Sequence, residues 1–287
     1  MRKLHTHYRL GLIGAALVAG STSASADNDT LFADNDTLLG ASGLLGGFTE
    51  GFSGEISAGY DSEYFFRGLW FGADNAWTGV DFSKELCNGV TANIGAYYLD
   101  TLNSGPYSES GISATLSWDT GAGTVDVGFT HYQFYDGFDG GGIGQQDATE
   151  VSLTYSTGDF YGFSGYLQGV WDLRIDAGYV EAGIAQSVDF GFASLDLSAA
   201  VGYSISGYYT LDSVAATATT AAVAGDNENG LTHVLVSAAL PIQLTDSLTF
   251  TPHASVNIAL AAREEANENL GQNQSQFFGG ASFSVAF

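Results

Sequence analysis

The chain has 287 residues, 39 of them Gly and 3 Pro, and its 14% charged side chains fall below the roughly 25% of an ordinary soluble domain. Seven Lys plus Arg stand against 32 Asp plus Glu, a balance that repels phosphate and excludes nucleic-acid binding. One cysteine, Cys87, excludes an internal disulfide, and a near-neutral mean hydropathy excludes a helical membrane protein but not a barrel, whose strands hide their apolar half by alternation.

Residues 1–26 read as a secretory signal. Arg2, Lys3 and Arg9 form its basic region, Leu10 to Ala19 its short apolar run, and Ala24-Ser25-Ala26 a small-x-small cleavage site. The apolar run is too short to span a bilayer as a helix. Beyond it only Arg67, Lys84, Arg174 and Arg263 are basic, facing all 32 acids. Such a surface attracts cations and equally suits a saline habitat.

Residues 27–52 carry most of a tandem repeat, Ala26-Asp-Asn-Asp-Thr-Leu-Phe32 and Ala33-Asp-Asn-Asp-Thr-Leu-Leu39, followed by a Gly-rich piece. Asp27, Asp29, Asp34 and Asp36 are spaced like ligands of a hard cation such as Ca²⁺. The Gly and the closing Glu of an EF-hand loop are missing, so the segment reads as a flexible acidic lead-in on the periplasmic side.

From residue 53 the pattern has period 2. Glu55–Phe66 sets Ile56, Ala58, Tyr60, Tyr64 and Phe66 on one face and Glu55, Asp61, Glu63 and Arg67 on the other. Further strands are predicted at Ala76–Glu85, Val90–Leu99, Ser110–Asp119, Gly123–Tyr135, Ala148–Ser156, Phe160–Asp172, Ala177–Asp189, Ala193–Ser206, Leu231–Leu240 and Leu248–Leu260. The twelfth is Gln276–Phe287, with Phe283, Val285 and Phe287 on its apolar face.

Twelve strands of about ten residues suit tilted crossings of a hydrocarbon layer. The connections alternate in length. Short turns are expected at 86–89, 120–122, 157–159, 190–192 and 241–247, and mostly longer loops at 71–75, 100–109, 136–147, 173–176, 207–230 and 261–274. The expected fold is all-β: a transmembrane antiparallel up-and-down β-barrel over 53–287 in the bacterial outer membrane. An even strand count puts both termini in the periplasm.

At Ser62-Glu63-Tyr64-Phe65-Phe66-Arg67-Gly68 the chain resembles the TorF-type bacterial porins, which open their barrel with a Ser-Asp-Tyr-x-Phe-Arg-Gly hairpin. Glu63 stands here where that pattern has Asp. Trp77-Thr-Gly-Val-Asp81 is also similar, and the closing aromatic strand looks like the assembly signal read by the outer-membrane insertion machinery. The resemblance covers 60–82 and 276–287. It implies an outer-membrane barrel acting as a pore, with no named solute.

If the apolar faces meet lipid, Asp61, Glu63, Arg67, Asp81, Glu85, Asp126, Glu150, Asp172, Glu181, Asp196 and His253 face the lumen. Carboxylates around a pore favour cations. The expected function is passive diffusion of small cationic or neutral solutes. The alternative is a closed structural or surface-binding barrel, with the acids in an internal network and with acidic, Ca²⁺-binding loops. Arg67, beside Glu63, reads as an ion-pair partner clasping the loops. His131, His233 and His253 lack a serine at a motif-like spacing, so no enzyme is expected. No cofactor is expected either, and the partners are lipid, the insertion machinery and the solute.

Overall fold

A computed structural model describes residues 52–102, 107–135, 147–208, 229–269 and 272–287. The leader, the tandem repeat with Asp27, Asp29, Asp34 and Asp36, and most of the 136–147 and 207–230 connections lie outside the described residues.

The strands are β1 (Phe52–Phe66), β2 (Leu69–Cys87), β3 (Val90–Thr101), β4 (Ser108–Asp119), β5 (Gly123–Phe134), β6 (Ala148–Thr157), β7 (Phe163–Asp172), β8 (Ala177–Asp189), β9 (Ser194–Ile205), β10 (Gly230–Ala239), β11 (Ile242–Gln243), β12 (Leu248–Ala259) and β13 (Ser275–Ala286). Every neighbouring pair is antiparallel, and β10 bonds directly to β12. The two-residue β11 is a side ladder on β12, so twelve strands form the wall.

The ring closes where β1 meets β13, in the register Glu55↔Ala286 to Asp61↔Gly280. The last residue takes part: Gly54 and Phe287 exchange both backbone hydrogen bonds, at 2.8 and 2.9 Å. In hydrocarbon no water can satisfy a free strand edge, so closure is the condition for a sheet to stand there. Phe283 and Phe287 face outward, against Phe250 and Phe82 respectively.

The exterior is apolar. Ile94, Leu116, Val127, Leu153 and Ile184 each expose more than half of their surface. Left in water, each would forgo about 1.5–3 kcal/mol of burial, so this belt belongs in lipid. Aromatic side chains gather toward both strand ends, with Trp118 and Tyr155 near one rim and Tyr98, Tyr135 and Trp171 near the other. The inward residues of the same strands are small and polar, and they bond one another: Asn93 to Ser117 at 3.1 Å, Gln168 to Thr154 at 3.2 Å, Ser255 to Ser237 at 2.8 Å.

Three departures from the sequence reading matter. The first hairpin turns at Arg67-Gly68, so 71–75 lies within β2 rather than in a loop. Both turn residues have positive φ, 51° and 84°, as a two-residue type I′ hairpin demands. Second, Tyr64 and Phe66 do not face lipid but are buried inside the barrel. Third, the 261–274 connection contains a helix, α1 (Ala261–Asn269), packed against β10, β12 and β2.

The first two share one cause. Pairing of β1 to β13 stops at Asp61, and pairing of β2 to β3 begins only at Asn75. Between those points the ladder pairs of β1 and β2 are with each other alone. The hairpin leaves the wall and enters the lumen, where both of its faces are covered: Tyr64 and Phe66 join a cluster with Trp77, Leu99, Tyr132 and Tyr179, and Phe65 packs with Leu235 and Phe278.

Deleting Phe287 removes the last backbone pair of the seam and its contact with Phe82. The expected outcome is a marked fall in the fraction of protein recovered as a folded, heat-modifiable barrel, with the surviving barrels behaving like the parent in conductance. Unchanged recovery would refute this role for the terminal residue.

Candidate functional site: the lumen and its inserted hairpin

The end of the barrel away from the chain terminus, here the loop end, is crossed by the hairpin. Arg67 sits at its tip and is almost fully buried. Its guanidinium reaches Glu150 on β6, five strands along the wall, through two parallel bonds: Nη1 to Oε1 at 2.7 Å and Nη2 to Oε2 at 2.8 Å. This bidentate geometry fits a carboxylate better than any single-point donor does. Three rings stack on the cation, Phe66 at 4.5 Å, Tyr179 at 4.9 Å and Tyr208 at 5.0 Å. Cation–π contacts gain strength when water is excluded, as it is here. Glu150 also accepts from Tyr132 at 3.3 Å and from the Tyr208 hydroxyl.

Leaving the wall frees backbone groups, and these are answered locally. The Gly68 carbonyl accepts from the amides of Asn267 at 2.9 Å and Asn257 at 3.4 Å. Asn267 also accepts from the Trp70 N–H at 3.1 Å. Arg263, fully buried on α1, donates to the carbonyls of Arg67 at 3.4 Å and Tyr208 at 2.8 Å. Helix and hairpin are thus one inserted unit. Gly68 fits its place for two reasons: its φ is positive, and a Cβ there would lie 2.6 Å from the His233 Cβ on β10.

The other acids fall into two groups. At the loop end each acid named here has hydrogen-bond donors. Glu109 accepts from Tyr64 at 2.8 Å, Tyr97 at 2.7 Å and Tyr107. Glu181 accepts from Tyr166 at 2.5 Å and Tyr179. Asp172 accepts from the N–H groups of Arg174 and Ile175 at 2.8 and 3.3 Å. Asp61 accepts from Trp77 at 2.8 Å and lies 2.5 Å from His253 Nε2. Glu63 accepts from Trp70 at 2.6 Å, and the ion pair expected of Arg67 is made with Glu150. A hairpin that folds across the lumen meets the far wall rather than its own strand.

Toward the turn end the inward side chains are less buried. Asp81 is exposed and extends over Gly95, whose added Cβ would meet its Oδ1 at 2.4 Å. Asp126 sits between Ser117 and Thr154 on the inward face, and Asp196 accepts from Ser187 at 2.5 Å. Glu85 is exposed close to the turn-end rim. Lys84 is not in the lumen: its amine lies 4.4 Å above the Phe52 ring on the outer side of the same rim. His131 is the ladder partner of exterior Ile112 and bonds Thr149 at 3.0 Å, with exterior Val151 two residues beyond Thr149 on β6.

Sequence reasoning missed Glu109, Tyr179, Tyr208, Arg263 and Asn267. The first two sit on inward parity and were legible in principle. Arg263 and Asn267 are four residues apart and so share a helix face, a spacing that carries meaning once 261–269 is read as a helix.

No protein-family model matches the chain, and no curated protein matches it. Solved structures of similar shape include a KdgM porin in complex with disordered oligogalacturonate, 7% identical, covering 81% of this chain and 99% of that one with a TM-score of 0.48. A NanC porin is 10% identical, covering 81% and 98% with a TM-score of 0.47. LpxR from Salmonella typhimurium is 10% identical, covering 81% and 99%, also at 0.47. None of these likenesses says what this chain carries.

Gly68→Ala places a Cβ at a positive φ, at a cost of about 1–2 kcal/mol for the backbone alone, and adds the contact with His233. The expected result is a lower unfolding midpoint in urea, measured on the detergent-folded barrel, than that of Gly165→Ala, where an added Cβ meets nothing closer than 3.5 Å. Equal midpoints would remove the steric argument for this glycine.

Proposed function

We propose that this chain is an outer-membrane channel for small cationic or neutral solutes, of the TorF-type porin kind, with a passage narrowed by the inserted hairpin and α1. The observation that carries the reading is the distribution of charge. Lys84 lies on the exterior, Arg174 in the β7–β8 connection, and Arg67 and Arg263 in the inserted unit. Among the described residues the turn-end lumen therefore has carboxylates, Asp81, Asp126 and Asp196, and no Lys or Arg. A low-dielectric tube with that lining raises the local concentration of cations and depletes anions.

The reading includes both termini and the short turns on the periplasmic side, a cleaved leader at 1–26, and 27–52 as a periplasmic lead-in. It also takes the chain as non-catalytic. His253 is held by Asp61, His131 faces outward, and His233 is packed beneath Gly68.

The second reading, a closed barrel, is favoured by the crossing of the lumen from β1–β2 to β6. Single-channel recording in a planar bilayer separates the two. Discrete steps with a reversal potential favouring K⁺ over Cl⁻ are expected. Absence of steps under all conditions would leave the closed barrel standing. In a conducting protein, Asp81→Asn combined with Asp126→Asn is expected to lower the cation preference measurably, because both carboxylates lie on the inward face of the turn-end half. An unchanged reversal potential would show that selectivity arises elsewhere.

A further inference from the structure

The surroundings of Arg67 can be read without Arg67. Glu150 comes from β6, Tyr132 from β5, Tyr179 from β8 and Tyr208 from the segment after β9. Of the groups around the cation, only Phe66 travels with the hairpin. Four residues of the wall and its loops therefore form a cage: one carboxylate presented edge-on, two aromatic faces beside it, and two hydroxyls fixing the carboxylate oxygens. That is the chemistry that recognises a flat, delocalised cation with paired N–H donors, and it discriminates against a spherical ammonium. The occupant is held in a backbone conformation that a non-glycine residue adopts at a cost, with φ 51° at Arg67.

We propose that this cage is the solute-selecting site of the lumen and that Arg67 fills it as an internal ligand. The solutes it favours are guanidinium-bearing cations, which take the place of Arg67 as they pass. The proposal rests on the channel reading for passage, but the cage itself does not depend on it. Asp172, the ladder partner of Glu150, does not compete for the cation through its Oδ1, which already accepts from two backbone N–H groups. Arg263 holds the Tyr208 carbonyl at 2.8 Å, so α1 braces one wall of the cage while the Arg67 side chain exchanges with a solute.

Arg67→Gly is the informative variant. Glycine accepts the positive φ, and Gly-Gly is a favoured type I′ pair, so the turn persists while the cage is emptied. Millimolar guanidinium chloride or free arginine is expected to raise the thermal midpoint of the Arg67→Gly barrel by several degrees, as a ligand that binds only the folded state must. Potassium chloride and lysine at the same concentration are expected to leave it unchanged. The rescue should vanish in Arg67→Gly/Glu150→Gln. Equal effects of arginine and lysine, or rescue that survives the second substitution, would overturn the cage.

Passage is read separately, by liposome swelling with the parent protein. Arginine is expected to enter several-fold faster than lysine, and an equal or reversed order overturns selection at this site. If neither enters and no other small solute does, the channel reading fails while the rescue experiment still decides the cage.

Discussion

A strand that parts from its neighbours inside a membrane exposes N–H and C=O groups that lipid cannot satisfy, and this constraint organises the whole molecule. It requires the ring to close, and the pairing of Gly54 with Phe287 closes it down to the final residue. It also determines where a hairpin can go once it leaves the wall. Outward lies hydrocarbon. The β1–β2 tip therefore turns inward, where Asn257, Asn267 and Arg263 are placed to meet its freed carbonyls. The helix α1 follows from the same need, because a single wall strand could not supply donors at all of those points.

The inserted unit changes what the interior is. With small inward residues alone, twelve strands would enclose a polar tube. With the hairpin in place, the loop-end half is a packed core of aromatic rings and tyrosine–carboxylate bonds, and the turn-end half keeps its small and polar inward residues. The carboxylates therefore act in two ways. Those near the tip are structural acceptors, met by hydroxyl, indole, imidazole, backbone N–H or guanidinium groups. Asp126 sits between Ser117 and Thr154, and Asp81 between Glu55 and Gly95, where they set the field of the tube.

The wall was legible from the sequence because period 2 is a strong signal when one side is lipid. Ile94, Leu116, Val127 and Leu153 face outward as their parity requires. The hairpin was not legible. Tyr64-Phe65-Phe66 is a continuous apolar run, and alternation extrapolated from Ile56 and Tyr60 assigns Tyr64 and Phe66 to lipid. The run is apolar throughout because both faces are covered inside the barrel, as in a strand buried on two sides. The cue that alternation had ended was the third consecutive aromatic. The partner of Arg67 was illegible for a simpler reason: nothing local indicates that a residue at the end of one strand will meet another five strands away.

The scarcity of basic residues sharpens the electrostatic logic. A tube lined by Glu109, Glu150, Asp172, Glu181 and Asp61 would repel itself if those groups were charged and unpaired, since like charges in a low-dielectric enclosure are poorly screened. Two of the chain's four cations beyond the leader, Arg67 and Arg263, are delivered to that place on elements that do not belong to the wall. Had they stood on the strands, the wall would carry fixed positive charge along the path of a solute. Carried on an inserted hairpin and helix, Arg67 pairs with Glu150 and Arg263 meets backbone carbonyls, and the wall itself stays acidic. The same arrangement makes the Arg67 side chain, rather than a residue of the wall, the part of the lumen that a cation of similar shape can replace.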